Sequence, residues 1–99
     1  MGHFVYDEDV DRIELEDGEW IDIKRQMSVG DYDHITRESR EDEERIIATL
    51  LVNIKAWSLK DKEGKVASIN KKTIAMLNSD TATQIVVEIG KRNSTPKKA

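Results

Sequence analysis

Cysteine is absent from the 99 residues, which rules out disulfides, thiolate nucleophiles and cysteine zinc sites. A chain without disulfides is compatible with a reducing compartment. Long apolar runs are missing too. The longest apolar cluster, Ile46–Val52, is broken by Thr49 and is far too short to span a bilayer. The five glycines are scattered, so there is no glycine-rich phosphate loop. The serines form no Gly-x-Ser-x-Gly elbow. Positive charge is also in deficit, with 16 Lys and Arg against 20 Asp and Glu, for a net charge of -4. That balance disfavours a duplex-DNA coat or a polybasic membrane binder. The opening Met1–Tyr6 has neither the basic region nor the apolar stretch of a secretory signal, and Tyr6 stands where a myristoylation motif wants Ser or Thr. The expectation is one small intracellular domain.

The charge is unevenly placed. Nine of the sixteen residues from Asp7 to Asp22 are acidic, with Arg12 the one base among them. The last nine residues hold four bases and no acid. The chain thus divides into an acidic segment 1–11, a folded unit 12–90 and a basic flexible tail 91–99.

Period-two alternation in Arg12–Leu15 and in Glu19–Ile23 predicts a β-hairpin. A two-residue turn at Asp17-Gly18 would set Ile13 against Asp22 and place a carboxylate among apolar side chains. A three-residue loop over Glu16-Asp17-Gly18, with Gly18 left-handed, pairs Ile13 with Ile21 instead and gathers Ile13, Leu15, Ile21 and Ile23 on one face. The second register gives the cleaner face. Two strands alone are marginal, so this face must meet helices.

Ser28 begins a capping-box-like signal for a short helix to about Arg37, with Val29, Tyr32 and Ile35 on one side. Ser39 repeats the signal before the strongest helix, Arg40 to Trp57. Its apolar stripe is Ile46, Ile47, Leu50, Leu51, Ile54 and Trp57, with Leu51 expected in the core. Trp57 to Val66 breaks that period and predicts a loop or loose hairpin. Asn70 predicts a cap for a helix over Lys71–Leu77. Ser79 and Asp80 predict one for Thr81–Ile89, with Ala82, Ile85, Val86 and Ile89 inward and Gly90 as its stop. The fold class expected is mainly α with an N-terminal β-hairpin (α+β), a small single domain of about four helices.

Chemistry-bearing patterns are sparse. His3 and His34 stand apart from any metal-spaced cluster and read as surface histidines. Asp7–Asp11 imitates the opening of a calcium loop, but Arg12 falls where that loop needs Gly and Gly18 where it needs Glu. The paired carboxylates lack the burial of a poised acid and base. No catalytic, cofactor-binding or metal-ligating residue is therefore assigned, and the chain is read as non-enzymatic. The two final helices could mimic a helix-turn-helix presenting Thr81, Thr83, Gln84, Lys91 and Arg92, but Asp80 and Glu88 lie on the same element, and core-packing helices are the plainer reading. For protein contact the candidates are Trp20, Trp57 and Leu59. Trp20 falls on the polar side of the hairpin among charges, as an interface anchor does. Trp57 suits core packing as well.

The order of these features resembles the small tail assembly chaperones of long-tailed bacteriophages. The resemblance runs from about Ile13 to Ile89. It rests on the opening Ile13–Ile23, on the Met27–Tyr32 helix start, on the long helix entering Trp57–Gly64, and on two terminal helices ending at Leu77 and Ile89. It implies a mostly helical protein of virion morphogenesis that works in the host cytoplasm without a cofactor. Its partners would be the tape-measure protein and tail-tube subunits, kept soluble until the tube polymerises. A homo-oligomer is compatible with that role. The alternatives are a structural virion subunit of the minor tail, neck or connector and, further off, a small DNA-binding regulator.

Overall fold

A computed structural model describes residues 3–93. Three strands and four helices follow in the order β1 (Val10–Glu14), β2 (Trp20–Lys24), α1 (Val29–Glu38), α2 (Asp42–Asn53), β3 (Ile54–Trp57), α3 (Lys71–Ala75) and α4 (Ser79–Asn93). The architecture is α+β, as the sequence implies. The sheet is antiparallel with β2 in the centre, in the order β1-β2-β3.

Burial chooses the hairpin register. Ile13 pairs with Ile21 and Glu14 with Trp20. Glu19 accepts the Leu15 N–H across a three-residue loop at 2.8 Å, and Gly18 has φ +87°. Only the loss of a Cβ makes that left-handed position inexpensive. Ile21 and Ile23 are fully buried and Ile13 nearly so. This apolar face meets Leu50 of α2, Ile74 of α3, and Ile85 and Ile89 of α4 in one core.

The long helix expected through Trp57 ends at Asn53, and the chain continues directly into β3. The reason is a β-bulge. Ile21 pairs with Trp57 and Asp22 with Ala56, but Ile23 pairs with Ile54, which leaves Lys55 as the extra residue. The bulge turns Ile54 and Trp57, three positions apart, to the same buried face. In the sequence that spacing is indistinguishable from a helical i, i+3 pair. Inside α2, Leu50 occupies the core at 1% exposure, whereas Leu51 is half-buried and Ile46 is 47% exposed.

Caps fix most helix ends. The Ser28 hydroxyl accepts the Asp31 N–H at 3.1 Å, and the Asp31 carboxylate accepts the Ser28 N–H at 2.9 Å, closing a capping box at α1. Of the three residues expected on the inner side of α1, Ile35 alone is buried; Val29 and Tyr32 are exposed. Ser39 closes α1 rather than opening α2, its hydroxyl donating to the Ile35 carbonyl. Glu44 reaches back to accept the Arg40 and Glu41 N–H groups at the start of α2. Asn70 and Thr73 form the box at α3. At α4 the Asn78 side chain accepts the Asp80 N–H at 2.8 Å, one residue before the cap expected.

α4 runs through Gly90 to Asn93, so the helix is not stopped there. Side chains hold the extra turn. Arg92 donates to Asp11 of β1 and to Glu88, both at 2.7 Å, and the Asn93 carboxamide oxygen accepts the Met27 N–H at 2.7 Å. Residues 91–93 of the expected tail are therefore helical, and residues 94–99 lie outside the described residues.

Candidate protein-binding surface

Two open concavities flank the link between α3 and α4. The first is an apolar groove of about 430 Å³ between α2, α3 and α4. Ile46 and Ile47 form one wall, Val86 and Val87 the other, and Leu50 lines it between them. Ile46 is 47% and Val87 49% exposed. Among the described residues, Glu43 is the one charged residue lining it. Apolar side chains left this open lose burial that a partner can restore, worth roughly 1–2 kcal/mol each for Ile46 and Val87.

The second concavity, of about 360 Å³, lies between the hairpin tip, the loop after β3 and the end of α3. Leu15, Leu59, Met76 and Leu77 supply its apolar surface, and Met76 is 70% exposed. The loop after β3 is a loose hairpin, as the sequence suggests. Lys60 bridges Val66, and Gly64, with φ +84°, lies at the tip. Asp61 ties that tip by accepting the Glu63 and Lys65 N–H groups at 2.8 and 3.1 Å.

The three residues singled out from the sequence part company. Trp57 is 4% exposed and donates its indole N–H to the Ala67 carbonyl at 2.8 Å. It packs in the core and also lines the second concavity. Leu59 is half-buried and lines the second concavity. Trp20 lies on the outer face of the sheet, half-buried, with the Arg12 guanidinium 3.7 Å from its ring centroid. Arg12 also forms a two-pronged pair with Asp22, at 2.8 and 3.2 Å. The Trp20 N–H donates to the Ser58 hydroxyl at 2.8 Å, fixing β2 to the end of β3. Trp20 therefore belongs to neither concavity. Sequence reasoning assigned Ile46 to the core and passed over Val87 and Met76. The available signal was a stripe on α2 too wide for one buried face, together with Val87 beside the inward Val86.

Several charged side chains away from these surfaces pair with one another. Lys24 is 3% exposed, and its ammonium meets Asp31 at 2.5 Å and Asp7 at 3.0 Å. Burial pushes the Lys24 pKa down, but hydrogen bonds to Asp31 and Asp7 outweigh it and the net shift is upward. Asp31 shows the converse. Burial raises it, and the bonds from Lys24 and Ser28 bring it below its usual range. Asp11 sits between Arg92 and Arg25, and hydrogen bonds from Arg92 first and Arg25 second lower its pKa. Arg92 lowers Glu88 in the same way.

These pairings bear on the helix-turn-helix reading. Arg92 is bound to Asp11 and Glu88, Lys91 lies 3.4 Å from Glu88, and α3 has five residues. Arg92 thereby joins the end of α4 to β1, while Lys91 pairs within the helix and stays largely exposed. His3 and His34 are exposed. Among the described residues, no group of three or more His, Asp or Glu side chains could hold a metal ion, and no helix is long and apolar enough to cross a membrane. Comparison of the chain with protein-family models, curated proteins and solved structures finds no match.

Proposed function

We propose that this chain is a non-enzymatic assembly chaperone or adaptor of long-tailed bacteriophage morphogenesis. It acts in the host cytoplasm by reversibly holding apolar segments of the tape-measure protein and of tail-tube subunits. The observation that carries the reading is the groove between α2, α3 and α4, whose walls leave Ile46 and Val87 about half exposed. An amphipathic client helix placing apolar residues at i, i+3, i+4 and i+7 fits such a groove. The resemblance over Ile13–Ile89 supplies the identity of the clients.

The test is co-purification with the tape-measure and tube proteins encoded beside it. Wild-type chain is expected to retain one or both. The double variant Ile46→Asp, Val87→Asp is expected to release them while keeping its circular dichroism spectrum, because both side chains already face solvent. Absence of binding by the wild type counts against the proposal. Mass spectrometry of purified particles separates it from a structural virion subunit, which would be present in fixed copy number, whereas a chaperone is missing.

A further inference from the structure

The apolar groove leaves the second concavity without a role. Met76 is exposed there and Leu15, Leu59 and Leu77 are half-buried, and the rim is acidic. Asp17, Glu19 and Asp61 line it, and Glu16 and Asp80 line an adjoining cleft that shares Leu15, Asp17 and Thr81. Among the described residues, Lys60 is the one cation lining either. None of these five carboxylates has an ion-pair partner among the described residues, so their charge is open to a ligand. Such a rim suits a row of separate positive charges on one binding partner.

We propose that this concavity docks a basic peptide segment carrying apolar anchors, with Leu or Met side chains against Leu15, Leu59 and Met76 and Lys or Arg side chains over the rim. Charge complementarity selects that occupant. The rim repels nucleic acid and acidic peptides. Residues 94–99 of a second copy have two lysines but no large apolar side chain, so they do not match the surface. The docking site stands apart from the groove, since the two share Leu77 alone.

Fluorescence anisotropy with the full chain tests the proposal. The probe is a labelled peptide of about a dozen residues alternating Lys and Leu pairs, long enough to reach across a concavity of this size. Two control peptides replace Lys by Glu or Leu by Ser. The Lys/Leu peptide is expected to bind, and both controls to bind far more weakly. The triple variant Asp17→Asn, Asp61→Asn, Asp80→Asn keeps an acceptor oxygen at each turn, and it is expected to raise Kd by about tenfold. Met76→Ser is expected to weaken binding as well, and Ile46→Asp in the groove to leave it unchanged. Equal binding of the Glu/Leu peptide, wild-type affinity in the triple variant, or loss of binding in Ile46→Asp would overturn the assignment. Thermal melts establish that each variant is folded.

Discussion

Leu50→Ala truncates a fully buried apolar side chain of α2. Leu50 is 1% exposed and belongs to the cluster formed with Ile21, Ile23, Ile54 and Ile85. Truncation there loses the transfer energy of the deleted carbons and leaves a cavity that a sheet and three helices cannot readily collapse into. The expected cost is about 3 kcal/mol, within the roughly 2–5 kcal/mol range for buried leucines. For a domain of this size each kcal/mol lowers Tm by about 4–8 °C, so the melt should fall by about 12–24 °C. Leu51→Ala, at a half-buried site, should cost about 1–2 kcal/mol, and Ile46→Ala, on the open groove wall, under about 1 kcal/mol. Circular dichroism melts and urea titrations of the three variants give the order directly. A larger loss for Leu51→Ala than for Leu50→Ala would mean that α2 is rotated by one position. Equal losses for Leu50→Ala and Ile46→Ala would mean that the groove is closed in solution.

The acid limb of stability should follow Asp11, Asp31 and Glu88, whose pKa values are all lowered in the fold. Their contribution is present above the unfolded-state values of 3.8 for Asp and 4.5 for Glu and is lost as pH falls through the lower folded values. Tm measured from about pH 7 down to about pH 3 should drop at the acid end, and Arg92→Gln, which removes a partner of both Asp11 and Glu88, should flatten that drop. An unchanged acid limb in Arg92→Gln would show that the clamp between α4 and β1 is not formed. At the hairpin, Gly18→Ala meets no steric neighbour but must adopt φ +87°, so it should cost about 1–2 kcal/mol, and Gly18→Asn less. Urea titration checks the pair; a neutral Gly18→Ala would argue against the three-residue loop.

The parts of the fold that were legible in the sequence are those where one local rule acts alone. The hairpin register could be read because the competing pairing brings Asp22 into the apolar face. The box at Ser28 and the cap at Asn70 could be read because each rests on residues within one turn of the helix start, although the part Thr73 plays in the box at Asn70 was not read. β3 could not, because the bulge at Lys55 gives Ile54 and Trp57 a helical spacing. Ser39 and Gly90 carry ordinary helix-boundary signals that are overridden, the first by a local bond and the second by tertiary structure. Ser39 bonds backward to Ile35, and Arg92 and Asn93 are anchored to Asp11 and Met27 beyond the glycine. The binding surfaces were legible only as an excess. Apolar residues on α2 and α4 outnumber what one core covers, and Ile46 and Val87 are the ones left open.

Covalent capture from the groove itself tests the central claim most directly. A photo-crosslinking amino acid in place of Ile46, with the same residue in place of the exposed Thr36 on α1 as control, is irradiated in cells making the tape-measure and tail-tube proteins. The account predicts adducts to one of those two proteins from position 46 and none from position 36. No adduct from position 46, or equal adducts from both positions, would contradict it.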